Sequence, residues 1–191
     1  MKVDITDAFE NLKKGNVILC PTDTVWGLSC DATNNSAVQE IIKIKQRSED
    51  KSFIVLVSSL DMLGRYVHSF PNFAVDLIEM TSEPLTIIFP RGEKLSKFVI
   101  NSDESVAIRL IKSNSEESKF CFDLIRKFNK PIVSTSANIS GMPAPKNYSE
   151  IDSLVVSQVA YAVPYFTTSK SQRSPSKIIK LNEDNTFKII R

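Results

Sequence analysis

The chain has 191 residues, 42% of them hydrophobic and 24% charged, with 24 Lys and Arg against 22 Asp and Glu. That length and balance support one folded domain with a substantial core, and a net charge of +2 is too small to single out a nucleic-acid binder by composition. No run of about eighteen apolar residues occurs, and the N-terminus MKVDITDAFENLKKGN is charged and amphipathic, so no membrane span or export signal is indicated and a cytoplasmic location is expected.

Ile5, Phe9 and Leu12 recur at helical spacing, with Thr6 as the expected N-cap and Gly15 placed to stop the helix. The apolar run 17–20 reads as a buried strand and leads into PTDTVWGLSCDA (21–32), a polar cluster that holds the only tryptophan, Trp26. Residues 34–47 read as a helix with Val38, Ile41 and Ile42 on one stripe. Continuing that stripe reaches Lys45, which is therefore expected to point inward. Strands are predicted at 53–57, 84–90 (PLTIIFP) and 106–111 (VAIRLI), with another beginning at 131–134. Short helices are predicted at 60–67 and 73–80, and an amphipathic one at 115–129 through Phe120, Leu124, Ile125 and Phe128. Two late strands, 177–181 and 187–190, flank the turn NEDN.

Helices alternating with apolar strands predict an α/β fold, and the neighbouring strand pairs predict a mixed sheet. The irregular stretches 137–147 and 166–175 are rich in Ser, Pro and Lys and read as binding loops or covers. Cys20, Cys30 and Cys121 are odd in number and widely spaced, which suits reduced thiols better than a disulfide or a zinc site.

Five glycines form neither GxxxxGK nor GxGxxG, and the sole histidine, His68, lies in an ordinary helix-loop context and reads as a surface residue. A Ser-His-Asp triad or a histidine-based metal site is thus not expected. The remaining polar residues stand at strand and helix ends. Lys45 and Arg47 of KIKQR, with Lys51 close behind, place cations at a helix end, where they serve either the helix dipole or an anion. Arg109 interrupts an apolar strand, and a buried guanidinium there requires water or an anionic partner. STSANISG (134–141) supplies four hydroxyls and the amide of Asn138, neutral donors of the kind that hold phosphate oxygens.

These three motifs together resemble the YrdC family, the threonylcarbamoyl-AMP synthases of tRNA modification. PTDTVWGLSCDA resembles the family's P-T-[DE]-T-x-[YFW]-G-L, KIKQR its K-x-R, and STSANISG its S-x-[ST]-A-N-x-S-G. PLTIIFP and VAIRL resemble its central strands, and SPSKIIKL with Arg191 more loosely its ending. The resemblance covers nearly the whole chain and implies one YrdC-like domain over 1–191, a twisted mixed α/β sheet with flanking helices. It implies that L-threonine, bicarbonate or CO2, and ATP are joined into threonylcarbamoyl-AMP with release of pyrophosphate, for use by downstream proteins that transfer the group to tRNA.

Carried over residue by residue, the resemblance assigns Lys45 and Arg47 to the triphosphate, with Lys51 as helper, and makes Lys45 and Arg47 the catalytic pair. Ser136, Asn138 and Arg191 would hold the nucleotide. Thr24, Arg109, Ser134 and Ser176 would line the threonine subsite, with Arg109 on the carboxylate. Mg2+ would bridge phosphates, with no protein ligands assigned. Asp23 is left with two roles, loop positioning or a hydrated metal, and Trp26 is expected to pack the pocket wall. The chain departs from the family over 47–56, where two prolines are missing and Leu56 stands at a histidine, and at Ser176-Lys177, which replaces Ser-Thr. Two other readings use the same fold: an RNA-binding or assembly module with weak RNA affinity, and a sibling enzyme that carbamoylates another substrate.

Overall fold

In the computed structural model, which describes residues 4–48, 52–164, 166–167, 175–182, 184 and 186–191, the first helix is α1 (Thr6–Lys13). Its N-cap is Ile5 rather than Thr6. Thr6 is the first helical residue and donates its N–H (2.8 Å) and hydroxyl (2.6 Å) to Asp4, so the capping acceptor lies two residues earlier than expected. Gly15, with φ at +78°, turns the chain out of the helix.

β1 (Ile18–Cys20) pairs antiparallel with β2 (Gly27–Asp31), an element the sequence did not reveal. All five residues of β2 are buried, so the alternation of Leu28 and Cys30 with Ser29 and Asp31 does not mark a solvent-facing side. α2 (Asn35–Lys45) is capped by the Asn34 side chain, which accepts the Ala37 N–H at 3.2 Å. It ends where Gln46 adopts the left-handed region at φ 48°, so Arg47 stands beyond the helix and not within it as the span 34–47 predicted. Lys45 does lie on the buried stripe with Val38, Ile41 and Ile42.

The chain continues through β3 (Ile54–Val57), α3 (Leu60–Gly64), α4 (Asn72–Met80), β4 (Leu85–Phe89), β5 (Val106–Leu110), α5 (Glu116–Phe128) and β6 (Ile132–Ser136). α3 is shorter than 60–67 because Val67 leaves it to bridge Gly92. A 3-10 turn at Tyr148–Glu150, α6 (Ser153–Ser157) and β7 (Tyr161–Ala162) occupy a region where no element was predicted, and β8 (Lys177–Leu181) and β9 (Phe187–Ile189) close the chain. The loop predicted at 166–175 falls mostly outside the described residues. Among the described residues no helix is long and apolar enough to cross a membrane.

The strands form one mixed sheet in the order β7-β1-β2-β6-β3-β5-β4-β8-β9. As expected, β4 pairs antiparallel with β5 and β8 with β9, while β3–β5, β4–β8 and β1–β7 are parallel. Ser134 opposes both Ser29 and Ile54, Ile54 opposes Ala107, and Ala107 opposes Ile88. Opposed residues share a face, as do residues two apart on one strand. Ser134, Ser136, Ile54, Ala107, Arg109, Thr86 and Ile88 therefore line one face. The other face at this level carries Val133, Val55, Ile108 and Ile87, all in the core. Ile54, Ile88 and Ser136 are only half-buried, so the first face reaches solvent near the middle of the sheet.

α5 opens with a reciprocal cap: Ser115 Oγ accepts the Ser118 N–H at 3.2 Å and Ser118 Oγ accepts the Ser115 N–H at 2.9 Å. Ser115→Ala should therefore cost about 1 kcal/mol, measured as a lower urea midpoint with an unchanged m-value.

Candidate active site

The end of β6 and the end of α2 meet through Lys45. Its side chain is withdrawn from water, at 2% residue exposure, and donates to the carbonyls of Ser136 and, at 2.7 Å, Asn138. The Ser140 N–H returns a bond to the Lys45 carbonyl at 2.8 Å. Two of the three ammonium donors are thus spent on the turn after β6. Burial, with the positive charge of Arg47 adding to it, pulls the Lys45 ammonium down to about 8. Because both acceptors are neutral carbonyls, the positive charge stays uncompensated by them.

Arg47 sits just past the helix. Nη2 donates to the Ser52 carbonyl at 2.6 Å, Nη1 reaches Thr135 Oγ1 at 3.5 Å, and the guanidinium carbon lies 4.7 Å from the Phe53 ring centroid. Asn138 donates through Nδ2 to the carbonyls of Ile139 (3.0 Å) and Met142 (2.6 Å). Its Oδ1 is buried with no hydrogen-bond partner among the described residues, an acceptor unspent by the protein. Lys51 lies outside the described residues.

The opening motif contributes a tight turn. Thr22 Oγ1 donates to the Val25 carbonyl at 2.8 Å, accepts the Thr24 N–H at 3.1 Å, and stands 3.1 Å from Thr24 Oγ1. Trp26 is buried and meets Tyr148 edge-on at 5.0 Å between centroids, the packing role expected of it. A Cβ on Gly27 would stand 2.8 Å from Ser134 Oγ and 3.2 Å from the Thr135 carbonyl, so glycine lets this loop close on β6.

Arg109 has 3% residue exposure, and its Nη2 donates to Thr24 Oγ1 at 3.3 Å. The same nitrogen lies 2.9 Å from Asp23 Oδ1, yet that oxygen accepts no directed hydrogen bond. The contact is an ion pair lying off the N–H axis. Within the chain, the anionic partner that Arg109 requires is thus Asp23, and of the two roles left open for Asp23 the ion pair supports positioning. Ser176, 2% exposed, bonds Thr86 hydroxyl to hydroxyl at 2.8 Å, and Arg191 donates to the Ser176 carbonyl through Nε (3.3 Å) and Nη2 (3.2 Å).

A cavity of about 960 Å3 lined by Ser52, Ile88, Asn101, Asp103 and Lys180, among others, opens beside this face. Ser52 Oγ donates to Asn101 Oδ1 at 2.7 Å, and the Ser105 hydroxyl, followed by Lys180, holds the Asp103 carboxyl down at about 2. The sequence singled out none of Thr86, Asn101 and Asp103, while Thr135 was among the STSANISG hydroxyls without a role of its own. Thr86 carried a usable signal, a hydroxyl inside the apolar run PLTIIFP, whereas Asn101 and Asp103 sit in a polar turn with no local mark of function. His68 is exposed and pairs with Glu93 at 2.8 Å. All three cysteines are free and buried, with the Cys121 thiol pushed well up by its hydrogen bond with Cys20 and by burial. None has the environment of a reactive thiolate.

A family model named Sua5_yciO_yrdC, described as "Telomere recombination", matches residues 10–191. The chain belongs to the Sua5/YciO/YrdC family. A threonylcarbamoyl-AMP synthase from Vibrio cholerae serotype O1 is 32% identical over 178 residues, 92% of this chain and 91% of that relative. A double variant of P. abyssi Sua5 superposes with a TM-score of 0.85 at 25% identity, covering 98% of this chain and 55% of that one. P. abyssi Sua5 complexed with L-threonine gives a TM-score of 0.83 at 24% identity, covering 98% and 53%. The chain thus spans nine-tenths of the V. cholerae synthase and about half of the Sua5 chain.

Lys45 has a lower pKa folded than the ordinary lysine value of 10.5. Between about 8 and that value the unfolded chain holds a proton that the folded protein has released, so this residue makes stability rise with pH across the window. Lys45→Met should remove that slope, as measured by urea midpoints taken from pH 8 upward.

Proposed function

We propose that this protein is a threonylcarbamoyl-AMP synthase, a nucleotidyltransferase that forms threonylcarbamoyl-AMP and pyrophosphate from ATP, L-threonine and bicarbonate or CO2. The observation that carries the proposal is the distribution of cationic groups around β5 and the end of β6. An uncompensated ammonium and a guanidinium flank the Ser136–Asn138 turn, while a buried guanidinium with hydroxyl neighbours stands at Arg109. The first arrangement suits a polyphosphate and the second a carboxylate. Relatives that bear this name match nine-tenths of the chain, and the bound L-threonine of the Sua5 complex belongs to a protein of the same fold.

In this proposal Lys45 and Arg47 face the triphosphate, with Lys51 as the helper that the family resemblance assigns, and stabilise charge that develops as pyrophosphate leaves. Ser136, Asn138 and Arg191 hold the nucleotide, and the unspent Asn138 Oδ1 accepts from a ligand N–H or O–H. Thr24, Ser134 and Ser176 border the amino acid, whose carboxylate meets Arg109. The threonine nitrogen bonds to CO2 and loses a proton to give a carbamate. A carbamate oxygen then attacks the α-phosphorus in line as the bond to pyrophosphate breaks. The protein's task is to align two anions, and no covalent nucleophile takes part.

Among the described residues no three His, Cys, Asp or Glu side chains converge on a metal position. Mg2+ therefore enters this proposal as a counter-ion of the triphosphate, with no step routed through it. Residues 1–191 act as one domain in the cytoplasm. The product passes to proteins that transfer the threonylcarbamoyl group to tRNA.

The test is pyrophosphate release by the purified protein with ATP and magnesium, with each co-substrate omitted in turn and L-serine replacing L-threonine. Release should require both L-threonine and bicarbonate. Arg47→Ala should lower kcat/KM for ATP by on the order of a hundredfold. Arg109→Lys, which keeps the charge and loses the planar fork, should raise KM for threonine about tenfold. Release that is independent of threonine would overturn the proposal.

A further inference from the structure

We infer that Asp23 is a positioning residue for substrate binding, holding the Arg109 guanidinium in place before the amino-acid carboxylate arrives. The inference rests on the function proposed above and adds a role for a side chain that the site assignment leaves open.

The need for such a residue follows from the register of the sheet. Arg109 opposes Leu56, and Leu56 opposes Ile132, at the start of β6. The nucleotide end of the face lies at Ser136, four residues further along β6 and about 13 Å away at the strand rise. The guanidinium must therefore act at the end of a long side chain, and several torsions have to be held for it to stand in one place. Leu56 is buried beside it and offers no hydrogen bond. The constraints come from the turn after β1: the Asp23 carboxylate 2.9 Å from Nη2, and Thr24 Oγ1 3.3 Å from the same nitrogen. That turn is itself locked by Thr22, which bonds both Thr24 and Val25.

The pair leaves capacity for a ligand. Asp23 and Thr24 both address Nη2, whereas the Nε–H of Arg109 is buried without a hydrogen-bond partner among the described residues. Arginine presents five N–H donors in a rigid fork, so a guanidinium held at one nitrogen keeps another edge for a second carboxylate. Both side chains are largely withdrawn from water, at 4% for Arg109 and 12% for Asp23, so screening by solvent is limited. Ordering the arginine in the free protein removes that cost from the binding step, which is how preorganisation strengthens binding. A carboxylate one methylene longer keeps the charge and should also hold the fork.

Steady-state pyrophosphate release by the full chain, with Asp23→Asn and Asp23→Glu, tests the inference together with the arginine Nε–Hε NMR signals of the free protein. The Arg109 signal is assigned by its loss in Arg109→Lys. In Asp23→Asn, KM for L-threonine should rise tenfold or more, with kcat and KM for ATP little changed, and the Arg109 signal should broaden. Asp23→Glu should restore most of the threonine KM and the sharp signal. An unchanged threonine KM, or an Arg109 signal as sharp as in the parent, overturns the inference. So does a joint loss of kcat, both KM values and thermal stability without rescue by glutamate, which would mark a structural role only. A parent protein that neither binds nor uses threonine sinks the proposed function and this inference together. A parent that uses threonine while Asp23→Asn behaves identically sinks this inference alone.

Discussion

Two cations buried side by side with a β-sheet constrain everything around them. Lys45 is 2% exposed and Arg109 3% exposed, and an ammonium or guanidinium removed from water is tolerated only where acceptors surround it. For Lys45 those acceptors are the carbonyls of Ser136 and Asn138, which requires the chain after β6 to turn its backbone oxygens toward the end of α2. For Arg109 they are Asp23 and Thr24, which requires the chain after β1 to fold back over the sheet. Segments far apart in sequence are thereby brought together by the same requirement.

The two solutions differ in what they leave behind. Carbonyl acceptors stabilise the Lys45 ammonium without cancelling its charge, and Arg47 next to it adds a second positive group. The end of β6 thus keeps a positive field, which in the proposed function serves the triphosphate. Asp23 does offset the charge of Arg109, so this position is closer to neutral, and in the proposed function it discriminates by the geometry of the arginine fork. A site that must bind a polyanion and a small carboxylate without exchanging them has a physical basis for doing so in this contrast.

Over 47–56 the chain lacks two prolines and has Leu56 in place of a histidine. Without prolines in this stretch, Arg47 is restrained by the Ser52 carbonyl and by stacking on Phe53, and Ser52 is in turn tied to Asn101. Leu56 stands opposite Arg109 on the neighbouring strand and supplies apolar contact where a polar residue would compete for the guanidinium. The described residues of this segment, 47–48 and 52–56, are thus fixed at Arg47, Ser52 and Leu56.

Local pattern settled much of this protein in advance: the inward direction of Lys45 followed from a helical stripe, the amphipathic helix α5 from its apolar spacing, the α/β class from alternating helices and strands, and the mixed sheet from neighbouring strand pairs. The motifs proposed to carry the site were also visible in the sequence, as hydroxyls and cations gathered at strand and helix ends, where they equally serve turns and the helix dipole. Other features had no local signature. β2 follows a polar turn directly and is buried on both faces, Arg47 left its helix because Gln46 turned left-handed, and β7 is a two-residue strand. The choice of Asp23 as partner for Arg109 was likewise decided only by the tertiary structure. Their turn and strand are separated by 85 residues between Thr24 and Arg109, and which carboxylate meets a buried cation depends on strand order and register, which only the assembled sheet specifies.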